Sequence, residues 1–555
     1  MKTIIKESKY HDSVRSSLIS IADSALKGAR GNSGIIFAQY FYGLSIETAN
    51  DLFLTTQNFV TANQKAVLYA YNAITNPVEG TIITVIRKWA DALHQLQKTS
   101  VDFLDLLNKA HVELEKSVHQ TTQQLKVLKQ NKVVDSGAKG FALFMKGFLD
   151  YMRSGKEEYV IPETFCLEED PQMPLPTHSQ ENYTTRYCTE ALLECKEINI
   201  QDLQKACFML GDSLLIAGGN SKVRMHIHTD DPHQFFRTIQ TFGSITYQKV
   251  DDMKMQIEIA AQPKYKIALV TDSIADIPSS FIDENQIHVQ PLHLFMENSN
   301  YIDRMGIETK QVLDYIDLHP KLPTSSQPDY KDIENLFRFL SSYYSSIIVI
   351  TVSSRLSGTH SIFTKVAQDL HNSIPSIHVI DSRLNSAAQG LIVMKCAQYI
   401  EQKIPLDEIL KKLQDQIPNT HILVNVKSID NMIKSGRLST RGGRIAKILR
   451  FQPIVSLDTK GKGTLGGMAF SFSGSKNKTI RALRKIHRRK GIEEYSIVHA
   501  DNFSEALQMA KDLEAILQTP PLFIEEISSI TSISAGRGAI AVAFTTKESP
   551  KEGIS

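Results

Sequence analysis

Residues 267–273 read Ile-Ala-Leu-Val-Thr-Asp-Ser, and residues 347–359 read Ile-Ile-Val-Ile-Thr-Val-Ser-Ser-Arg-Leu-Ser-Gly-Thr. In both, an apolar run rich in β-branched residues ends in small hydroxyl residues and leads into a helical pattern. That is the signature of a parallel strand delivering polar groups to its carboxyl edge, where open α/β sheets bind ligands. Between the two runs lies Pro323-Thr324-Ser325-Ser326-Gln327-Pro328. After them come Asp381-Ser382 and Gly436-Arg437-Leu438-Ser439. Small hydroxyl groups delivered in this way would hydrogen-bond a small anion or a carboxyl group.

In this order the five segments resemble the DegV family over roughly residues 265–555. The resemblance implies an α/β region of two subdomains that holds a fatty acid in a buried tunnel, with hydroxyls on its carboxyl group. Carried over position by position, it implies carboxyl contacts from Ser325, in place of a threonine, and from Ser326, Ser357 and Arg437. Many members carry His-x-Gly-Pro-Gly near the carboxyl end, where this chain has Ser534-Ala535-Gly536-Arg537-Gly538. Ser534 stands in the histidine's place and can donate a hydrogen bond but not a charge, which leaves Arg537 as a permanent cation to compensate. A buried carboxyl group must be hydrogen-bonded, since leaving it unpaired costs roughly 1 to 3 kcal/mol. Serines at strand ends more commonly cap the next helix. Capping is the expectation for Ser273 and Ser353, ligand contact for Ser325 and Ser357.

With 555 residues the chain should hold several domains, because single cores rarely exceed ~250 to 300 residues. Lys+Arg of 62 against Asp+Glu of 60 argues against an obligate polyanion, so no nucleic-acid partner is expected. No run approaches a membrane span and the start lacks a secretory apolar core, so a soluble, cytoplasmic protein is expected. Five cysteines make no disulfide framework, but Cys166, Cys188, Cys195 and Cys207 cluster in a region worth reading for metal.

Helical periodicity runs through residues 10–153, as in Phe103, Leu107, Ala110 and Leu114. An all-helical domain over 1–153 is expected, then a linker over 160–182 containing Pro162, Pro171, Pro174 and Pro176, then a small α+β domain over 183–263. In the last of these, Arg224-Met225-His226-Ile227-His228 reads as a strand, on which His226 and His228 share a face. With Cys188 they would form a three-ligand set suited to zinc. Ordinary strand histidines and a buried thiol are the alternative, and the residues alone favour it.

The helical domain carries Gly28-Ala29-Arg30-Gly31-Asn32-Ser33-Gly34, Asn76-Pro77-Val78-Glu79-Gly80-Thr81 and Val133-Val134-Asp135-Ser136-Gly137. Glycine turns at helix starts can seat phosphates, or merely cap helices. Together with the Cys and His-x-His region, they resemble the DhaL-type nucleotide domain and middle domain of the bacterial fatty acid kinase, a relative of the dihydroxyacetone kinases. That resemblance implies a nucleotide site including Gly31, Asn32, Ser33, Gly34 and Asp135, Mg-ATP as cofactor, zinc on Cys188, His226 and His228, and a homodimer. Family kinases also carry Asp-Gly-Asp-Thr-Gly-x-Asn upstream. The 27 residues before Gly28 lack it, Asp12 and Asp23 being their only aspartates. The expectation is lost Mg-ATP catalysis, or a longer amino-terminal stretch than this one.

Basic stretches at Lys434–Arg450 and Lys476–Lys490 read first as solvated helix faces, and otherwise as contacts for a membrane surface or an acidic acyl-transfer partner. Three functions follow: a fatty-acid-binding module on a kinase-like scaffold, an active acyl kinase, or a glycerone-type kinase. Fusion would raise the effective concentration of acyl carrier at the kinase part.

Overall fold

The computed structural model describes residues 2–9, 11, 13–49, 53–74, 77–155, 185–219, 221–374, 376–437 and 452–547. Asp12, Asn76, Cys166, the expected linker over 160–182, Leu438, Ser439 and the basic stretch beyond Arg437 lie outside them. The chain forms two compact units, Met1–Lys254 and Met255–Ser555.

The first unit opens with helices α1 (Lys2–Glu7), α2 (Val14–Gly28), α3 (Gly31–Glu47), α4 (Thr56–Asn72), α5 (Ile82–Leu96), α6 (Phe103–Gln124), α7 (Lys126–Asn131) and α8 (Ser136–Ser154). Their starts follow from the sequence: the side chains of Ser13, Thr55, Asp102 and Asp135 each accept a first-turn N–H. Leu107, Ala110 and Leu114 recur on the buried face of α6. They join Trp89, Phe141 and Val60 in one core. Asn63, fully buried there, accepts from the Tyr40 hydroxyl and from Trp89 Nε1 at 3.1 Å, which satisfies polar groups that would otherwise be stranded.

A four-stranded sheet follows, with β1 (Tyr187–Glu194), β2 (Asp212–Gly218), β3 (Lys222–Thr229) and β4 (Ser244–Asp252) in the order β2-β3-β1-β4. Alternation assigns its faces. Ala191, Leu193, Met225 and Ile227 pack with Phe235 and Phe236 on one side. On the other, Leu192, Leu215 and Ala217 pack with Ile35 and Ala38 of α3, so bundle and sheet share a core. Gly218 N–H donates to Gln39 Oε1 at 2.6 Å across that seam.

In the second unit, β5 (Ile267–Asp272), β6 (His288–Gln290), β10 (Ser346–Thr351) and β11 (Ile377–Asp381) form a parallel sheet in the order β11-β10-β5-β6. Beside it, β7 (His293–Met296), β8 (Ser299–Ile302) and β9 (Thr324–Ser326) make a small antiparallel sheet. Six strands complete the unit: β12 (Thr420–Asn425), β13 (Gln452–Leu457), β14 (Gly463–Ala469), β15 (Ile492–His499), β16 (Ile524–Glu526) and β17 (Ile540–Thr546), ordered β14-β13-β12-β17-β15-β16. The fold class is thus multidomain, with a helical first part, a small mixed α+β middle and an α/β region of several sheets. Among the described residues no helix is long and apolar enough to cross a membrane.

Ser273 and Ser353 do not cap helices, contrary to expectation. Ser273 Oγ donates to Asp303 at 2.7 Å and accepts Leu292 N–H, while Ser353 Oγ donates to the Gly461 carbonyl at 2.8 Å and accepts Arg355 N–H. Both serines tie loops together because the helices begin farther along, at Ser279 and Thr359. Around them Asp272, Asp276 and Asp303 are fully buried. Asp272 accepts the Val352 and Ile274 N–H groups, Asp276 accepts Ser528 N–H and Asp303 accepts Ile530 N–H.

Burial pushes the Asp272 and Asp303 carboxyls up to about 6. In the unfolded chain both titrate at about 3.9. The folded state therefore holds extra protons between those values, and the stability these groups supply below about pH 4 is lost as pH rises through about 6. Urea unfolding followed by pulse proteolysis, whose fragments report the second unit separately, should give a lower midpoint at pH 7 than at pH 5. The difference should shrink in Asp303→Asn; an unchanged pH dependence there would remove Asp303 as its source.

Candidate functional site

The carboxyl edges of the parallel sheet, one face of the six-stranded sheet and the helix Ser529–Ala535 enclose a cavity. About 1110 Å³ inside it is free of protein atoms, part of it open to solvent. Its wall is mainly apolar and includes Ile274, Val352, Leu356, Ile422, Val455 and Ile533. Ser325, Ser357, Arg437 and Ser534, drawn from segments far apart in sequence, all belong to that wall. Arg437 Nη1 donates to the Ser435 carbonyl at 2.8 Å, and Nη2 makes a long contact of 3.4 Å to Ser325 Oγ. Ser534 Oγ lies 3.1 Å from Ser435 Oγ, and Ser357 Oγ lies 2.8 Å from Thr359 Oγ1. Burial lowers the Arg437 pKa, and no carboxylate of the described residues offsets the desolvation.

Two expected site residues fall elsewhere. Ser326 is absent from the cavity wall: neighbours on a strand face opposite ways, and in β9 it pairs with His293 while Ser325 pairs with Leu294. Arg537 does not compensate at the cavity either. It is bound by Asp314, by Asp317 at 2.7 Å and by Asp501, three surface carboxylates remote in sequence. Conversely, Asn385, Ser386, Ser456 and Thr531 line the cavity without having been singled out. Asp381-Ser382, just before Asn385, was the one nearby signal.

In the first unit, the β1–β3 register places Cys188 opposite His228 and Glu190 opposite His226. One ligand atom from each of Cys188, His226 and His228 lies within 4.8 Å of the others. Cys188 Sγ is 3.8 Å from His226 Nδ1, close to the about 3.5 Å that sulfur and nitrogen would span on a tetrahedral zinc ion. Burial and the nearby carboxylates of Asp251 and Glu190 push the Cys188 thiol up to about 12, so a cation is needed to hold it as thiolate. Donor type and spacing therefore fit zinc.

The starts of α3, α5 and α8 converge at Gly137, where an added Cβ would lie 2.4 Å from Ser33 Oγ and 3.2 Å from Ile82 Cβ. Only glycine allows that approach. Asp135 Oδ1 accepts Ala138 N–H at 2.7 Å, and burial raises its pKa. Gly31, at φ 58, begins α3, and its N–H donates to Glu190 Oε1 at 2.8 Å. Asn32 and Gly34 lie on the same first turn of α3. Burial would raise the Glu190 carboxyl, but His226, Arg224 and the Gly31 N–H outweigh it and hold it at about 2.

Comparison with known proteins agrees region by region. The model of the DegV family, described as uncharacterised protein, matches residues 266–547, more than half of the chain. A DAK2 domain matches residues 1–150, and a middle domain of the fatty acid kinase-like type matches residues 184–260. A DegV domain-containing protein of Clostridium acetobutylicum is 29% identical over 288 residues, 51% of this chain and 99% of the relative. An uncharacterized protein of Staphylococcus saprophyticus is 35% identical over 240 residues, 42% of this chain and 43% of the relative, so the match spans under half of that protein. Among solved structures, the fatty acid binding protein DegV of Bacillus subtilis is 24% identical with a TM-score of 0.47, covering 51% of this chain and 100% of that one. A fatty-acid-binding DegV family protein of Thermus thermophilus gives 19% and 0.47, covering 51% and 99%. The chain belongs to the DegV family, and carries its DegV region in one polypeptide with a DAK2 domain and a fatty acid kinase-like middle domain.

Proposed function

We propose that the second unit binds a fatty acid, its chain in the apolar cavity and its carboxylate against Arg437, Ser325, Ser357 and Ser534. One observation carries this reading: a partly buried guanidinium, with no carboxylate partner among the described residues, lines an apolar cavity whose wall also holds three hydroxyls. An anionic head on an apolar tail satisfies both halves of that wall. Native mass spectrometry of the purified chain, followed by denaturing extraction, should release one fatty acid per chain. An empty protein that also refuses added oleate and palmitate would overturn the reading.

The first unit is a kinase-like scaffold that binds zinc at Cys188, His226 and His228, where the ion would hold β1 to β3. Two carboxylates, Asp135 and Glu190, already occupy helix-start N–H groups where a phosphate would seat. This supports a region that no longer transfers phosphate. The convergence of three helix starts at Gly137 favours the second reading, an acyl kinase using Mg-ATP. ATP turnover measured with and without oleate separates them: no fatty-acid-dependent ADP release is expected, and release at ~1 s⁻¹ or faster, within the usual range of kinases, would establish the second.

A further inference from the structure

One carboxylate stands between the Cys188–His226–His228 cluster and the glycine turn. Glu190 is only 2% exposed. Its Oε1 accepts the Gly31 N–H at 2.8 Å and lies 3.9 Å from His226 Nδ1, while Oε2 receives Arg224 Nη2 at 2.5 Å. His226 Nδ1 is also the atom 3.8 Å from Cys188 Sγ. A single imidazole nitrogen thus faces both the candidate metal position and the oxygen that holds the first N–H of α3. A second path runs beside it. Arg224 lies over the Tyr247 ring at 4.3 Å, and Arg30, next to Gly31, lies over the same ring at 4.6 Å.

Neutralising Arg224 would require only Oε2. It leaves unexplained why the other oxygen accepts a backbone N–H from the helical part of the unit while standing next to a metal-site histidine. Without an ion, Nδ1, 3.9 Å from Oε1, is available to carry a proton and to swing toward that oxygen in competition with the Gly31 N–H. An ion on Nδ1 takes that nitrogen's lone pair and fixes the ring, which leaves Oε1 to the Gly31 N–H. We propose that Glu190 is a positioning residue coupling metal occupancy of the Cys188–His226–His228 cluster to closure of the turn Gly28–Gly34. The coupling rests on the zinc reading of that cluster. Zinc loading then orders the start of α3, and zinc loss frees it.

The test is hydrogen exchange by mass spectrometry on the full chain, zinc-loaded and chelator-treated, with zinc content measured on the same samples. Peptides covering residues 28–37 should exchange roughly tenfold or more slowly when zinc is bound. Glu190→Ala should make them fast in both states. Glu190→Gln, which keeps an acceptor for Gly31, should recover part of the zinc-dependent protection. A purely structural Glu190 would shift exchange equally in both metal states, and that result overturns the coupling. If Glu190→Ala does not fold because Arg224 is left unpaired, Glu190→Gln and the wild-type comparison still decide the matter. Wild type that holds zinc yet exchanges identically with and without it overturns the coupling alone; a chain that takes up no zinc overturns both the coupling and the zinc reading.

Discussion

Arg437→Ala is expected to weaken fatty-acid binding by about 10- to 100-fold while the second unit stays folded. Each hydrogen bond from a charged group to a buried partner is worth about 1.5 to 3 kcal/mol, and about 1.4 kcal/mol is tenfold in affinity. In the protein Arg437 spends one good hydrogen bond on the Ser435 carbonyl and one long contact on Ser325. Most of its five donors are left for a ligand. Arg437→Lys should fall between, because an ammonium keeps the charge but loses the planar fork. Ser325→Ala, which removes a neutral hydroxyl, should cost about 0.5 to 1.5 kcal/mol. Calorimetry with palmitate measures all three, and hexadecanol serves as control. Its affinity should barely change in Arg437→Ala; an equal loss for acid and alcohol would mean that the substitution acts on packing and not on the carboxylate.

Combined Cys188→Ser and His226→Ala substitution should take bound zinc from one equivalent per chain to none and lower the melting temperature of the first unit. At free zinc about 1,000-fold above its Kd, binding adds about 4 kcal/mol to the folded state, and this increment disappears with the ligands. The unit should nonetheless remain folded. The opposite face of the sheet has its own apolar core of Ala191, Met225, Ile227, Phe235 and Phe236, unlike a zinc finger that has little else. A chelator should therefore lower the melting temperature of wild type and leave the double variant where it is. Wild type that contains no zinc after reconstitution removes the site.

Much of this architecture was legible in local pattern. The apolar runs at 267–270 and 347–352 are parallel strands, and the spacing of Leu107, Ala110 and Leu114 is the buried face of one helix. Period and turn chemistry act over a few residues, so a sequence exposes them directly. Ser325, Ser357, Arg437 and Ser534, which line one cavity, each sit in a short segment of familiar composition. Ser326 lies off the cavity wall because strand register turns neighbouring residues to opposite faces, and register is not written in a short segment. The ion pairs of Arg537 are not legible in sequence, because Asp314, Asp317 and Asp501 come to it only through tertiary folding. Glu190 carried no signal of its own: its importance lies in Gly31, 159 positions earlier in the chain.

Strand β17 lies inside the six-stranded sheet, paired to β12 through residues 420–425 and to β15 through residues 492–499. Its neighbour Ala539 and its own Ala541 form part of the cavity wall. During synthesis, then, β12 and β15 must wait, with unpaired edges, until residue 546 has left the ribosome and can slot between them. Long-range pairing of this kind makes folding slow and leaves apolar strand edges open to wrong partners meanwhile. A nascent chain arrested before residue 540 should accordingly engage chaperones and hold no acyl ligand, however complete its hydroxyl loops.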